Sequence, residues 1–241
     1  MQIALIADLH GNRTAVKALE KDLKRRGLNK IWCLGDLIGK GPHSDYTFDW
    51  AFANCELILK GNWDADVAIK KYERDWYYIE QLGDKRLEML FNLPLEKRLR
   101  LSQKNIRLLH GRPTLDFPLK IQAEEYEFKE LFDKDTHVVG YADIHRQGLR
   151  TLNCGMLFNT GSVGNALGVV QVEYVVLTGD ENNEHSSLSL EFCTLNYDVQ
   201  EALDDIPKNF PFAKPYIQEI TTGRYINRAS VLGNTRCGII K

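Results

Sequence analysis

Polar residues that directly follow hydrophobic segments are the feature that most constrains this chain. Three predicted strands end in this way, at Asp8-Leu-His10, Gly35-Asp36 and Gly61-Asn62. Helical patterns at 13–26 and 44–54 separate these strands, and strand–helix–strand repetition predicts parallel βαβ units. The carboxyl ends of such strands lie at one edge of the sheet, where ligands bind. We therefore expect Asp8, Asp36 and Asn62 to share one site.

The rest of the chain predicts a mixture of helices and further strands. Residues 65–93 are helical and charged, with a break at Gly83-Asp84, and a helix is expected at 123–133. Strands are expected at 97–101, 106–109 and 137–140, followed by antiparallel strands at 148–152, 155–159, 169–177 and 187–195, and by a short helix at 198–203. Beyond Pro207 no element can be assigned. We expect one domain, 1–241, in which 205–241 is a C-terminal extension of unassigned role.

Composition excludes several classes of protein. The 241 residues are 44% hydrophobic, enough for a sizeable core, and the formal net charge of −2 lacks the basic excess of a nucleic-acid-binding surface. The five cysteines have no CxxC spacing, which favours buried, reduced thiols over disulfides or a zinc site. Neither a signal segment nor an apolar run of about 18 residues is present, so we expect a cytoplasmic protein without a membrane partner.

Two further polar groups complete a set of metal ligands. His110-Gly111 follows the predicted strand 106–109, and Asp143-Ile-His145 follows the strand 137–140. With the first three groups, they supply seven potential ligands. Hard oxygen atoms and imidazoles in this number suit two adjacent divalent cations that share one carboxylate and leave positions for water and substrate. The pattern predicts metal-assisted chemistry on phosphate esters.

The order D-x-H, G-D, G-N, H-G, D-x-H resembles that of the calcineurin-like metallophosphoesterases. The resemblance covers residues 1 to about 200 and extends beyond the ligands, in segments 8–12, 35–42, 61–64 and 159–164. It implies an α/β fold, a four-layer α-β-β-α sandwich of two mixed β-sheets flanked by helices.

The same resemblance implies how two metals are held. One ion would be bound by Asp8, His10, Asp36 and His145, and the other by Asp36, Asn62, His110 and Asp143. Asp36 would bridge them. Such a pair lowers the pKa of a shared water, and the resulting hydroxide attacks phosphorus in line.

A finer resemblance is to the bacterial branch that includes streptococcal phosphodiesterases acting asymmetrically on diadenosine tetraphosphate. It depends on Gly61-Asn-Trp63, on His145-Arg-Gln-Gly-Leu-Arg150 and on Leu195-Asn-Tyr-Asp-Val199. It implies a small-molecule phosphate ester or nucleotide as substrate, such as a phosphodiester or a nucleoside polyphosphate.

Asp143 departs from the family pattern, which has histidine at this position. A second register would align Gly140-Tyr141 with the family's Gly-His and would remove this ligand. We favour Asp143 because its spacing to His145 and to Leu149-Arg150 is preserved. A carboxylate is a harder donor than imidazole, so we expect Mn²⁺ or Fe rather than Zn²⁺.

Trp63 is the second departure, because many family members have there a histidine that can protonate the leaving group. Tryptophan cannot, and the absence of a general acid typically costs about 10²–10⁴-fold on poor leaving groups. Asp64 or His43 could substitute. We expect phosphoanhydrides and activated diesters to be preferred over alkyl monoesters.

Three residues are candidates for substrate binding. Asn12 and Arg112 follow ligand positions and could contact phosphate, although both could equally well be polar side chains that face solvent. Trp63 could stack on a base, although core packing is the more common role.

Other functions stay open at this point. A phosphoesterase-fold scaffold with weak or no catalysis is the main alternative, and a protein phosphatase or phosphomonoesterase is another. Self-association is not excluded by any feature of the sequence.

Overall fold

The computed structural model describes residues 1–133, 135–183 and 185–226. Within these ranges the strands are β1 (Gln2–Ile6), β2 (Ile31–Cys33), β3 (Leu57–Ile58), β4 (Glu96–Leu101), β5 (Lys104–Leu109), β6 (Val138–Tyr141), β7 (Gln147–Leu152), β8 (Gly155–Thr160), β9 (Val172–Thr178) and β10 (Ser189–Leu195). The α-helices are α1 (Arg13–Arg26), α2 (Ser44–Asn54), α3 (Asn62–Ala68), α4 (Trp76–Phe91), α5 (Val199–Asp204) and α6 (Ala213–Thr222). Two 3₁₀ helices span Glu73–Asp75 and Glu125–Leu131.

The strands form two five-stranded mixed sheets. The first sheet has the order β10-β9-β1-β2-β3, in which β1, β2 and β3 are parallel and β9 is antiparallel to both of its neighbours. The second has the order β4-β5-β6-β8-β7, with a parallel centre, β5-β6-β8, and an antiparallel strand at each edge. The predicted parallel arrangement of the first three strands is confirmed.

Alternating side chains of β1 divide the core between two faces of the first sheet. Ile3 and Leu5 lie in a buried cluster that also contains residues of the second sheet such as Leu108 and Phe158, so the two sheets pack face to face. Ala4 and Ile6 lie in the cluster formed with the α-helices, from α1 through α6. A third cluster covers the outer face of the second sheet, where the 3₁₀ helix contributes Phe128 and Leu131. These layers are the predicted sandwich of two mixed sheets flanked by helices.

Local sequence signals explain the ends of α1. Asn12 caps its first turn, because its side-chain oxygen accepts a hydrogen bond from the N–H of Ala15 at 3.1 Å. Three basic residues occupy the last turn, and Gly27, with φ 68°, ends the helix in the left-handed conformation that glycine adopts most easily. The buried face carries Val16, Leu19 and Leu23, as the periodicity predicts.

The structure corrects several predicted elements. Strand β8 is antiparallel only to β7 and pairs in parallel with β6, so the prediction of a purely antiparallel later half was wrong. The helix expected at 123–133 is a 3₁₀ helix, and the helical region 65–93 is divided among α3, Glu73–Asp75 and α4. Gly83 does interrupt α4, with φ 68° and ψ 165°.

The region that could not be assigned from sequence contains a helix. Helix α6 buries Tyr216, Glu219 and Ile220 and ends at Gly223 in the left-handed conformation. Cys33 and Cys193 are buried, but Cys154 is exposed, so the expectation of buried thiols fails there, and Cys237 lies outside the described residues. Among the described helices, none is long and apolar enough to cross a membrane.

Candidate metal centre

The predicted ligands occupy strained backbone positions at the ends of the strands. A positive φ is rare in residues other than glycine and concentrates at functional sites. Five of the seven predicted ligands have it: Asp8 (56°), His10 (45°), Asp36 (54°), Asp143 (68°) and His145 (55°). Backbone hydrogen bonds hold two of these turns together, since Asp8 donates to the carbonyl of Gly35 at 2.9 Å and His10 to that of Asp36 at 3.2 Å.

Glycines let the two loops after β2 and β3 approach each other closely. A Cβ atom on Gly61 would lie 2.1 Å from Oδ1 of Asp36, and one on Gly35 would lie 2.5 Å from the backbone nitrogen of Gly61. Neither position has room for a side chain. The glycines of the Gly-Asp and Gly-Asn motifs are therefore needed for the approach of these loops.

Three histidines are oriented in the same way. In each ring, Nδ1 lies within hydrogen-bond distance of a backbone carbonyl: Ile38 for His10 (2.9 Å), Leu34 for His110 (2.8 Å) and Asn165 for His145 (2.7 Å). A carbonyl only accepts, so Nδ1 carries the proton and Nε2 of the neutral ring presents a lone pair. This arrangement is typical of histidines that ligate metals.

The Nε2 atoms converge on two buried carboxylates. Oδ1 of Asp8 lies 3.6 Å from Nε2 of His10, 3.9 Å from that of His110 and 3.3 Å from that of His145. Oδ2 of Asp36 lies 3.5 Å from Nε2 of both His10 and His110. His10 and His145 stack with their Nε2 atoms 3.1 Å apart. Five side chains from four separate segments of the sequence thus meet in one place.

Several buried polar atoms of this cluster have no hydrogen-bond partner, and this tests whether a metal fits. They are Oδ1 and Oδ2 of Asp8, Oδ1 of Asn62 and Nε2 of His110. Buried polar atoms without partners are costly, and those of active sites call for an explanation. All four atoms carry lone pairs of the kinds that divalent cations bind. The residues present therefore fit a metal pair.

Ligand atoms fall into two groups that share one carboxylate. One group contains Asp8, His10 and His145, and the other contains Asp8, Asp36 and His110, with ligand atoms within 4.8 Å of one another in each. Asp8 is thus common to both groups, whereas the sequence predicts Asp36 as the bridge. Oδ1 of Asp36 accepts a hydrogen bond from the N–H of Trp63 at 2.8 Å, which leaves Oδ2 facing the histidines. The bridging role of Asp36 stays a prediction.

Asp143 lies beside this cluster, and Tyr141 does not. Oδ1 of Asp143 is 4.0 Å from Nε2 of His110, whereas the hydroxyl of Tyr141 donates to the carbonyl of Leu119, on the outer face of the second sheet. Arg112 binds the carboxylate of Asp143 with two nitrogens, Nε at 3.0 Å from Oδ2 and Nη2 at 2.7 Å from Oδ1. This geometry favours the register that aligns Asp143 with the family's histidine.

Burial and nearby charges shift the pKa values of His10 and His110 in opposite directions. Burial, and then the ammonium group of Lys40, lowers the pKa of His10 to about 4. Burial alone would also lower the pKa of His110, but the negative charges of Asp36 and Asp8 raise it to about 10. A neutral His10 suits a metal ligand, and the strong attraction at His110 indicates a position where positive charge is favoured.

Asp64 holds the two ligand loops together. Its Oδ2 accepts hydrogen bonds from the N–H groups of Asp36 (2.8 Å) and Gly61 (2.9 Å), and its Oδ1 accepts one from Leu37 (3.0 Å). Burial, and then the charge of Asp36, raises the pKa of Asp64 to about 7. That pKa would suit a proton donor, but both oxygens face backbone, and a donor must also reach its substrate. These contacts favour a structural role, in which Asp64 fixes the loops that carry Asp36 and Asn62.

Two other predicted residues are also used by the fold. Nε2 of His43 lies 2.9 Å from Oδ2 of Asp205, and His43 is not among the residues that line the cavity at the ligands. The amide of Asn12 accepts from Ala15 and donates to the carbonyl of Gly164 at 2.9 Å, so both of its ends are occupied. The predicted proton donation by His43 and phosphate contact by Asn12 have no support in this geometry.

Trp63 and Arg112, in contrast, line a cavity next to the ligands. The cavity has a volume of about 800 Å³ and is bordered by Asp36, Asn62, Asp143 and His145. Trp63 is half-buried, with its ring edge-on to that of His10 at 5.8 Å. Both residues are therefore placed where a substrate could reach them.

Sequence reasoning missed three residues of the site. Lys40, almost fully buried and with φ 55°, brings Nζ to 2.9 Å from Nε2 of His145. Asn165, whose carbonyl accepts from His145, donates its amide to Oε2 of Glu219 in α6 at 3.0 Å. Lys40 lies between two glycines after a ligand strand, which is the signal that could have identified it; nothing local marks Asn165 or Glu219.

Comparisons with known proteins agree with this architecture. The Calcineurin-like phosphoesterase superfamily domain matches residues 1–182, and the chain belongs to this superfamily. The uncharacterized protein MJ0912 of Methanocaldococcus jannaschii is 28% identical over 236 residues, which cover 86% of this chain and 92% of that protein.

Two solved structures have the same fold. A metallophosphoesterase from Sphaerobacter thermophilus superposes with a TM-score of 0.71 at 18% identity, covering 93% of this chain and all of that one. The hypothetical protein PH1004 of Pyrococcus horikoshii OT3 has the same TM-score and identity, covering 93% of this chain and 99% of that one. The superfamily and the cluster of possible metal ligands support a phosphoester hydrolase.

Proposed function

We propose that the protein is a dinuclear metal-dependent phosphoesterase that hydrolyses phosphodiesters or nucleoside polyphosphates. The observation that carries the proposal is the convergence of three Nε2 atoms, all with Nδ1 bound to carbonyls, on the buried carboxylates of Asp8 and Asp36. Two divalent ions at such a centre supply an activated water and offset the charge of the phosphoryl group. Mn²⁺ or Fe is favoured over Zn²⁺, because Asp143 adds a hard oxygen donor.

The side chains around the centre suit an anionic substrate. Lys40 and Arg112 border the cavity and contact His145 and Asp143, and Lys120 and Arg146 border the same cavity. Cations at these positions attract phosphoryl oxygens and hold them in line with the attacking water. The bidentate grip of Arg112 on Asp143 also fixes the orientation of that carboxylate.

The size of the cavity favours a substrate larger than a simple phosphate monoester. A volume of about 800 Å³ is within the range of pockets that enclose drug-sized ligands. Trp63 offers an aromatic surface but no proton for a leaving group, which favours phosphoanhydrides and activated diesters. Diadenosine tetraphosphate, the substrate of the resembling streptococcal branch, meets both conditions.

The test is hydrolysis of bis(p-nitrophenyl) phosphate by chelator-treated protein with and without added Mn²⁺, with Asp36→Asn as the control variant. We expect Mn²⁺ to restore hydrolysis in the wild type and Asp36→Asn to lose at least about a hundredfold. Absence of any metal-stimulated hydrolysis would contradict the proposal and favour a binding scaffold.

A substrate panel tests the finer assignment. We expect diadenosine tetraphosphate to be cleaved with a higher kcat/KM than an alkyl monophosphate or a phosphopeptide. Equal turnover of all three would contradict the preference for anhydrides and would favour a general phosphatase. If Zn²⁺ alone restored hydrolysis by the chelator-treated protein, the preference for Mn²⁺ or Fe would be contradicted.

A further inference from the structure

One wall of the cavity carries a buried carboxyl group that the metal centre does not use. Asp75, at the end of the 3₁₀ helix Glu73–Asp75, lines the cavity, and its side chain is only 6% exposed. Its ion pair is with Arg74, whose Nε lies 3.8 Å from Oδ1, farther than a hydrogen bond. A carboxyl group buried in this way is costly unless donors reach it.

Asp75 occupies a helix cap without capping the helix. It is the N-cap residue of α4, but its side chain makes no hydrogen bond to the first turn, which is the usual use of aspartate there. Burial raises the pKa of Asp75 to about 6. Helix capping therefore does not account for this carboxyl group, which belongs to a residue that borders the cavity.

Beside Asp75, the guanidinium group of Arg74 is stacked over the ring of Tyr72, whose centroid also lies 5.2 Å from Nζ of Lys71. The guanidinium carbon of Arg74 lies 4.2 Å from the centroid of the Tyr72 ring, and both residues border the cavity. Guanidinium and aromatic planes are the surfaces on which nucleic-acid bases stack, at about 1–3 kcal/mol per base. The outer face of this stacked pair, next to a buried carboxyl group, is a suitable environment for a nucleoside.

The nearby Asp66 differs from Asp75 in having a close cationic partner. It also borders the cavity, but Nζ of Lys71 binds its Oδ1 at 2.7 Å, so its charge is already neutralised. Among the described residues, no lysine or arginine nitrogen lies within hydrogen-bond distance of the Asp75 carboxylate. Sugar hydroxyls would supply donors to it, as they do to the acidic residue that binds the ribose in dinucleotide-binding folds.

We propose that Tyr72, Arg74 and Asp75 form a subsite for a ribonucleoside, in which the Asp75 carboxylate accepts hydrogen bonds from the ribose hydroxyls and the Tyr72–Arg74 pair stacks on the base. The proposal depends on the proposed function, because it assigns one end of the same substrate. The phosphates would extend from this subsite to the ligands, along the wall that carries Arg112.

The test compares three substrates in the full chain with Mn²⁺. They are diadenosine tetraphosphate, its analogue without 2′- and 3′-hydroxyls, and bis(p-nitrophenyl) phosphate, which has no nucleoside. In Asp75→Asn, the KM for the ribonucleotide should rise about tenfold relative to the KM for the deoxy analogue, because a hydrogen bond to a charged group is lost. Asp66→Asn is the matched control and should keep the wild-type ratio.

Tyr72→Leu gives a second, independent measurement. It should raise the KM for both nucleotides by a similar factor relative to bis(p-nitrophenyl) phosphate, because it removes stacking but no acceptor. Unchanged KM ratios in Asp75→Asn, or a change equal for all three substrates, would overturn the subsite while leaving the phosphoesterase assignment intact. If the wild type did not hydrolyse bis(p-nitrophenyl) phosphate, that result would instead overturn the proposed function.

Discussion

Asp64 gives the sharpest mutational prediction, because one carboxylate serves three backbone donors. In Asp64→Asn the side chain keeps its shape but exchanges one acceptor oxygen for an NH₂ group. If the amide oxygen stays with the N–H groups of Asp36 and Gly61, the NH₂ group faces the N–H of Leu37. In the flipped orientation the NH₂ group faces the N–H groups of Asp36 and Gly61, and neither can form a hydrogen bond with it. Either way, at least one buried N–H loses its partner.

The magnitude follows from those contacts. A buried donor left without a partner costs about 1–3 kcal/mol. Above pH 7, where Asp64 is charged in the wild type, the remaining hydrogen bonds also weaken because their acceptor is no longer charged. We therefore expect Asp64→Asn to lower the free energy of unfolding by about 2–4 kcal/mol. The loss should also lower metal affinity, since Asp36 and Asn62 lie on the two loops that Asp64 joins.

Urea unfolding of the wild type, Asp64→Asn and the control Asp66→Asn measures the effect. Hydrolysis of substrates with good and poor leaving groups is measured in parallel, and we expect the variant to slow both by a similar factor. A loss below about 0.5 kcal/mol, together with a kcat loss confined to poor leaving groups, would refute this reasoning. That outcome would identify Asp64 as the proton donor.

Three other substitutions test separate parts of the structure. Burial raises the pKa of Glu173 to about 7, above its unfolded value of 4.5, so the folded state binds the proton more tightly and the free energy of unfolding should fall as pH rises from about 4.5 to 7. Thermal unfolding of Glu173→Gln across this range should show a smaller fall, and a profile identical to that of the wild type would contradict the assignment. Glu219→Gln should weaken metal binding several-fold in a chelator competition, because it weakens the hydrogen bond to Asn165, whose carbonyl orients His145. Unchanged metal affinity would exclude this role. Arg112→Met should reduce kcat/KM on diesters by about 10–100-fold, because it frees the Asp143 carboxylate and removes a cation from the cavity, and unchanged kinetics would exclude both effects.

The first half of the fold could be predicted because its signals are local. Hydrophobic segments bounded by helices and glycines predict β1, α1, β2 and α2, and strands of such units are parallel and adjacent. Asp8, His10 and Asp36 could be named from their chemistry and their position at strand ends. The pairing of β8 with β6 could not be read in this way, because a short connection such as that between β7 and β8 says nothing about the other neighbour.

The supporting residues could not be predicted, because they act through contacts between distant segments. The sequence offers Asn12 as a phosphate contact, but its side chain is buried, caps α1 and donates to the carbonyl of Gly164. Glu219 accepts a hydrogen bond from the Asn165 amide, and the carbonyl of Asn165 contacts His145; this arrangement requires α6 to pack against the helical layer. Sequence spacing carries no information on such contacts until the fold is known.

The most direct measurement of the central claim is the position of metal in the protein. Crystals soaked with Mn²⁺ should give two anomalous peaks about 3.5–4 Å apart, next to the Nε2 atoms of His10, His110 and His145. The Asp36→Asn variant should lose at least one of these peaks. Manganese found only on surface carboxylates, with the three imidazoles bare, would contradict the account.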